Sequence, residues 1–188
     1  MRAKLLESSL MGNPVRIIVG AGGTSYLGWI STEIHHLNLL KPEDWAKYFR
    51  PNSIKAILAE HVWEHLTAEE GTAAANFCYQ YLSPGAHIRV AVPDGLHPDP
   101  YYIDLVRPGG IGPGADQHKM LYNYQTLGNM FEAAGFEIKL LEYFDQKGDF
   151  HFTDWDRSDG MIERSTRYDT RNWKNRQAYT SLIMDAKK

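Results

Sequence analysis

The residues with the most evident capacity for chemistry are the acidic and imidazole side chains of residues 60–65 (EHVWEH). His61, Glu64 and His65 match the H-x-x-E-H spacing of an inverted zinc-peptidase motif, in which both imidazoles bind zinc and the glutamate activates a bound water. The motif requires a helix, but a capping box signals a helix that begins only at Thr67. We therefore expect no metal here and interpret Glu64 and His65 as tying down a strand–helix junction. A zinc-dependent hydrolase is retained as an alternative function.

A second candidate is the glycine cluster GAGG at residues 20–23, which ends the apolar stretch of residues 15–19. Glycine permits positive φ and close approach of a ligand to the backbone. A dinucleotide fingerprint needs a further glycine, where Ser25 stands, and a helix whose N-terminus holds the pyrophosphate. Residues 24–28 leave room for at most one helical turn before the next apolar stretch. The cluster is therefore a poor pyrophosphate site.

S-adenosylmethionine (SAM) suits this cluster better, because it carries no phosphate and its carboxylate can be held by a few backbone N–H groups. Glu33 ends the next predicted strand, where a carboxylate can accept hydrogen bonds from both ribose hydroxyls. A plain strand–turn–strand with a surface glutamate explains these residues equally well, so the surrounding elements must decide.

The elements that position these residues alternate between strand and helix, which is typical of an α/β fold with a mainly parallel sheet. Ligands of such sheets lie at the carboxyl ends of the strands, which is where the glycine cluster, Glu33 and residues 60–65 fall. Apolar patterning predicts strands at residues 15–19, 29–33, 54–59, 86–92, 136–144 and 178–186, and helices at residues 42–49, after Thr67 and after Asn123.

Length and composition narrow the class further. The 188 residues are most simply one domain, 1–188, and 43% of them are hydrophobic, as in ordinary globular proteins. A net charge of −3 argues against nucleic acid as a partner, and no apolar stretch is long enough to span a membrane. The single cysteine fits a reducing compartment, so we expect a cytoplasmic protein.

Taken together, several stretches resemble the small predicted SAM-dependent methyltransferases of the class I, Rossmann-like superfamily. The resemblance covers nearly the whole chain and is most specific in EHVWEHL and LSPGAHIRVAVPD, residues 60–66 and 82–94. It implies a compact sheet in the order 3-2-1-4-5-7-6 with an antiparallel edge. The short spacing after the glycine cluster implies a shortened first helix.

The resemblance also assigns candidate site residues by position. Gly20 and Gly22 stand where the superfamily's glycine loop meets the methionine part of SAM, although Thr24 replaces the third glycine. Glu33 stands at the acidic ribose position, and Asn38 is the nearest match to the adenine position. The residues expected to contact the cofactor are Gly20, Ala21, Gly22, Gly23, Glu33, Asn38, Glu60 and His61.

Two long irregular segments, residues 93–122 and 145–177, are expected to form the pocket of a small or polar acceptor. Asp94 and His118 are the candidate bases for the acceptor proton, with Asp116 close to His118 in sequence. The second segment offers aromatic and cationic side chains, but it could instead form the contact of a homodimer. Those side chains are Phe150, Phe152, Trp155, Arg164, Arg167, Tyr168, Arg171 and Trp173. A binding protein of the same fold that has lost catalysis is a further alternative.

Overall fold

A computed structural model of the chain describes residues 14–175 and 177–188, and a seven-stranded sheet forms its centre. The strands are Val15–Val19 (β1), Ile30–Ser31 (β2), Ile54–Glu60 (β3), Leu82–Pro93 (β4), Glu137–Phe144 (β5), Phe150–Phe152 (β6) and Ser181–Lys187 (β7). They lie in the order β2-β1-β3-β4-β7-β5-β6. The first four run parallel, whereas β7 pairs antiparallel with both β4 and β5.

This sheet confirms the predicted α/β fold of the class I methyltransferases. The expected order 3-2-1-4-5-7-6 uses the numbering of the superfamily. In that numbering β2, β1, β3 and β4 are strands 2, 1, 4 and 5, and β7 and β5 are strands 7 and 6. The predicted antiparallel edge is the pairing of β5 with β7. At position 3 the described residues form no strand, and the hairpin strand β6 extends the opposite edge instead.

Four α-helices connect these strands: Pro42–Tyr48 (α1), Ala68–Tyr81 (α2), Pro100–Val106 (α3) and Tyr124–Ala133 (α4). The predicted capping box begins α2, because the Thr67 hydroxyl accepts from Glu70 N and the Glu70 carboxylate accepts from Thr67 N. No described helix lies between β1 and β2, as expected for a shortened first helix. None of the described helices is long and apolar enough to cross a bilayer.

The two faces of the sheet are covered in different ways. Helices α1, α2 and α4 pack on one face, where Trp45, Cys78 and Phe131 are fully buried. The other face carries Ile18, Leu58 and Ile183, and the described residues that cover it form irregular chain and short 3₁₀ turns. Much of that cover, including Trp155 and Ile162, comes from residues 153–175, which we call the covering segment.

Three charged side chains of the sheet attach the covering segment. Arg89 of β4 is 1% exposed, makes a bidentate ion pair with Asp185 of β7, and donates to the carbonyls of residues 156 and 160. Glu142 of β5 accepts from Trp155 Nε1 and from the backbone N–H of residue 166. Glu60, at the end of β3, accepts from the N–H groups of residues 163 and 164. The long second segment therefore covers this face of the sheet.

Candidate functional site

A cavity of about 610 Å³ opens at the carboxyl ends of β1 and β3. Four parts of the chain line it: the glycine loop after β1, residues 60–65 after β3, residues 105–118, and the covering segment with Tyr179. Both irregular segments predicted to form the pocket thus contribute to one cavity. The volume lies within the range of small-molecule and cofactor sites.

The glycine loop needs glycine for two different reasons. Gly20 and Gly22 both have φ of +56°, a conformation that other residues rarely adopt. A Cβ on Gly20 would also lie 2.8 Å from Val62 Cγ2, so this glycine lets the chain after β3 pack against the loop. A Cβ on Gly22 would meet no atom within 4 Å, and Gly22 lines the open cavity.

Buried hydrogen bonds fix the glycine loop against β2. Thr32 Oγ1 donates to the carbonyl of Ile18 at 2.9 Å, and the Thr32 carbonyl accepts from Ala21 N at 3.0 Å. Ser31 Oγ donates to the carbonyl of Thr24 at 2.7 Å. Within the described part of the chain, the N–H of Gly22 has no acceptor. The loop therefore presents a backbone donor to the cavity from a fixed position.

The other predicted cofactor residues are arranged differently. Gly23, Glu33 and Asn38 do not line this cavity. Asn38 Oδ1 accepts from the backbone N–H of residue 40 and so closes a turn. Glu60 does line the cavity, but both its carboxylate oxygens hold the covering segment. The structure thus brings Gly20, Ala21, Gly22, Glu60 and His61 together.

His61 connects β3 to β7. Its φ is +56°, its Nδ1 lies 3.1 Å from Glu64 Oε1, and its Nε2 lies 3.0 Å from Ser181 Oγ. Serine, histidine and carboxylate follow one another here as in a catalytic triad. Ser181 is 0% exposed, however, so a substrate cannot reach its hydroxyl. Burial alone would raise the pKa of Glu64; the neighbouring His61 outweighs it and leaves that pKa below its usual value. We conclude that His61 ties the end of β3 to the start of β7 beside Glu64.

The zinc-peptidase interpretation of residues 60–65 fails on geometry. Only Trp63–His65 is helical, as a single 3₁₀ turn, and His61 precedes it in a left-handed conformation. His61 and His65 therefore do not share a helical face, because α2 begins after both, as predicted.

His118 reaches the same wall of the cavity. The backbone N–H groups of Lys119 and Met120 donate to the carbonyl of Glu64 at 2.7 and 3.1 Å, which holds the chain after His118 against residues 63–65. The His118 and His65 rings meet edge to face with centroids 4.9 Å apart. His118 thus lies in the predicted pocket, whereas Asp116 is exposed and outside it.

Asp94 lies outside the cavity, contrary to its predicted place beside the acceptor. It is 0% exposed, and its two carboxylate oxygens accept from the N–H groups of Leu96 and Phe144. Burial raises the pKa of Asp94 to about 6. Its physical role is to join the end of β4 to the end of β5.

The covering segment contributes fewer side chains to the pocket than predicted. Arg164 and Arg171 line the cavity, and the Arg171 guanidinium lies 3.3 Å from the centroid of the Tyr179 ring. Arg167 instead pairs with Asp154 on the surface. The predicted aromatic residues do not line the cavity either: Trp155 is buried under the sheet, Phe152 and Trp173 are largely exposed, and Phe150 and Tyr168 also lie elsewhere. Tyr179 was not anticipated, because it lies two residues before β7 and shows no motif.

The fold is that of the class I SAM-dependent methyltransferases. A SAM-dependent methyltransferase from Archaeoglobus fulgidus superposes with a TM-score of 0.54 at 17% identity, covering 100% of this chain and 92% of that one. A possible histamine N-methyltransferase from Thermotoga maritima gives 0.53 at 10% identity, covering 100% and 89%.

A Burkholderia thailandensis 1,6-didemethyltoxoflavin-N1-methyltransferase, solved with that substrate and S-adenosylhomocysteine, gives a TM-score of 0.50 at 12% identity, covering 99% of this chain and 76% of that one. Identities this low establish the fold alone. No protein-family model and no curated protein matches the sequence.

Proposed function

We propose that this protein binds SAM and transfers its methyl group to a small, polar acceptor. The observation that carries the proposal is the glycine loop, which ends β1 and faces a cavity walled by ionisable side chains at the carboxyl end of β3. The methyltransferase fold supports the same function, because its relatives by structure are SAM-dependent enzymes.

The residues fit the cofactor in the following way. The N–H of Gly22, which has no acceptor among the described residues, donates to the methionine carboxylate, which comes close because Gly22 has no side chain. Glu33 follows β2, the strand beside β1, and does not line the cavity. We propose that the ribose of the bound cofactor extends beyond the cavity along this edge of the sheet and donates hydrogen bonds to Glu33. Glu60 holds the covering segment over the cavity. Glu60 therefore supports cofactor binding indirectly, by positioning the covering segment.

The covering segment and Tyr179 suit a polar acceptor. Arg164 and Arg171 are paired with Glu60 and Asp169. We therefore propose that their remaining N–H groups donate to an anionic or hydroxyl-rich molecule, and Tyr179 supplies an aromatic surface.

In methyl transfer the acceptor atom bonds to the methyl carbon, the sulfonium–carbon bond breaks, and the acceptor gives up a proton. We propose that His118 activates the acceptor, because its Nδ1 is occupied by the Val106 carbonyl at 2.7 Å and Nε2 remains available. A homodimer and a cytoplasmic location stay predictions.

Calorimetry tests the cofactor assignment. SAM and S-adenosylhomocysteine should bind with one site per chain, whereas NAD should not bind. Glu33→Ala should weaken S-adenosylhomocysteine by roughly 1–3 kcal/mol, because charge-assisted hydrogen bonds are lost. Glu43→Ala, at an exposed acid of α1, is the matched control and should leave affinity unchanged. Tighter binding of NAD than of SAM would overturn the assignment.

Transfer of a labelled methyl group to a panel of small acceptors separates an enzyme from a binding protein. His118→Ala should keep the affinity for S-adenosylhomocysteine and lose transfer. Wild-type protein that binds SAM but transfers methyl to no acceptor of the panel would favour the non-catalytic alternative.

A further inference from the structure

We propose that Glu64, His65 and His118 form a binding site for one divalent transition-metal ion on the wall of the cavity. Each residue offers one ligand atom, and these three atoms lie within 4.8 Å of one another. Tetrahedral zinc with bonds near 2.0–2.1 Å places its ligand atoms about 3.3–3.5 Å apart. The three atoms must therefore move closer together by side-chain rotation when zinc binds.

The carboxylate of Glu64 is the first independent observation that points to a cation. Glu64 is 0% exposed and lines the cavity. His61 Nδ1 lies 3.1 Å from Oε1 and forms an ion pair with it when protonated, whereas Oε2 has no hydrogen-bond partner among the described residues. A buried carboxylate oxygen without a donor is costly, and a bound cation would satisfy it.

The two imidazoles are oriented as metal ligands are. A carbonyl oxygen can only accept, so the Nδ1 atoms that face carbonyls must carry the hydrogen. His118 Nδ1 donates to the Val106 carbonyl at 2.7 Å, and His65 Nδ1 donates to the Gln117 carbonyl at 3.3 Å. This leaves the lone pair on Nε2 in both rings. Fixing the tautomer through a backbone carbonyl is the usual support of a metal-binding histidine.

This site differs from the zinc-peptidase pattern in the sequence. In that pattern His61 would be a ligand, but its two ring nitrogens already face Glu64 and Ser181. His118 takes its place because the chain at Lys119 and Met120 is hydrogen-bonded to the Glu64 carbonyl. Three-dimensional contact, and not sequence spacing, assembles the site.

Two imidazole nitrogens and one carboxylate oxygen favour a first-row transition ion over magnesium or calcium, which prefer oxygen ligands. Zinc accepts such a donor set and is the usual ion of sites with three protein ligands, although copper binds the same donors more tightly. Three protein ligands leave a coordination position open, and the residues face the cavity. An acceptor oxygen would occupy that position, and the bound ion would then activate it in place of His118, whose Nε2 would be a ligand and not a free base. This last role rests on the proposed function, but the metal site itself does not.

The experiment is calorimetric titration of zinc into protein treated with a chelator and then freed of it, at pH 7. Wild-type protein should bind one zinc per chain. His118→Ala and His65→Ala should each weaken that binding by at least about tenfold. His35→Ala, at an exposed loop histidine outside the cavity, should bind zinc as the wild type does. Thermal melts check that each variant is folded.

Affinity for S-adenosylhomocysteine is measured on the same samples. The proposal is overturned if wild-type protein takes up no stoichiometric zinc, or if His118→Ala and His35→Ala bind it equally. Glu64→Gln, which keeps the shape of the buried side chain, should lose zinc and gives an independent check. Intact zinc binding without S-adenosylhomocysteine binding would refute the proposed function and support the metal site.

Discussion

Gly20 and Gly22 share a φ of +56° but differ in what a methyl group at each position would meet. Alanine in this conformation costs about 1–2 kcal/mol of stability. We expect Gly22→Ala to lose about that much and Gly20→Ala to lose more, because its Cβ would press on Val62. Chemical denaturation measures both losses. Gly22→Ala should also bind S-adenosylhomocysteine less tightly, because its methyl group occupies the space of the ligand.

Gly85 provides the matched control, since it has a φ of +76° and open space around it but lies far from the cavity. Gly85→Ala should lose a similar amount of stability and keep its affinity for S-adenosylhomocysteine. Equal affinity of Gly22→Ala and Gly85→Ala would mean that the loop does not contact the cofactor.

Asp94 should make stability depend on pH. Its pKa is about 6 in the folded protein, raised by burial, against about 3.9 in an unfolded chain. The folded state therefore binds the proton more tightly, and the contribution of Asp94 to the free energy of unfolding is greatest below pH 4. That contribution falls by about 3 kcal/mol as the pH rises to about 6.

Asp94→Asn removes this titration and leaves the others in place. The free energy of unfolding of the wild type minus that of Asp94→Asn should fall by up to about 3 kcal/mol between pH 4 and pH 7. Asp116→Asn, at an exposed acid, should show no such trend. A difference between wild type and Asp94→Asn that is constant with pH would contradict the assigned pKa.

At the scale of elements, Arg89 decides whether the covering segment stays on the sheet. It is buried, pairs with Asp185 at 2.7 and 2.8 Å, and donates to the carbonyls of residues 156 and 160. Breaking a buried pair by removing one partner costs about 3–5 kcal/mol. Arg89→Met should lose stability on that scale, and hydrogen exchange should accelerate in the covering segment.

Arg107 is the matched control, because its pair with Asp104 is exposed on α3. Arg107→Met should change stability by less than about 1 kcal/mol. Unchanged exchange in the covering segment of Arg89→Met would show that Arg89 does not hold this segment.

The elements that the sequence predicts well are those with local signals. Strands β1 and β3 are short apolar runs, and α2 starts at a capping box that is visible in four residues. The sequence does not predict helix α3, because the surrounding glycines and prolines suggest a loop. Its local signals are Asp99, which caps the helix, and Pro100, which lies in its first turn. Strand β4 begins at Leu82, before the Ser-Pro-Gly triplet that predicts only a helix end.

At the scale of the molecule, the site was only partly predictable. The topology places residues after β1 and after β3 at one sheet edge, and so Gly20, Gly22 and His61 meet as expected. The approach of His118 to Glu64 depends on backbone hydrogen bonds between distant segments, which leave no pattern in the sequence. Asp94 follows a strand at the same edge, yet its hydrogen bonds to Leu96 and Phe144 turn it away from the cavity.

The central claim is that the cavity beside the glycine loop binds SAM. A crystal structure of the protein with S-adenosylhomocysteine tests it most directly. We expect the ligand in the cavity, with its carboxylate on the N–H of Gly22 and its sulfur toward the wall of His61 and His118. Ligand bound at another surface, with the cavity filled by solvent, would contradict it.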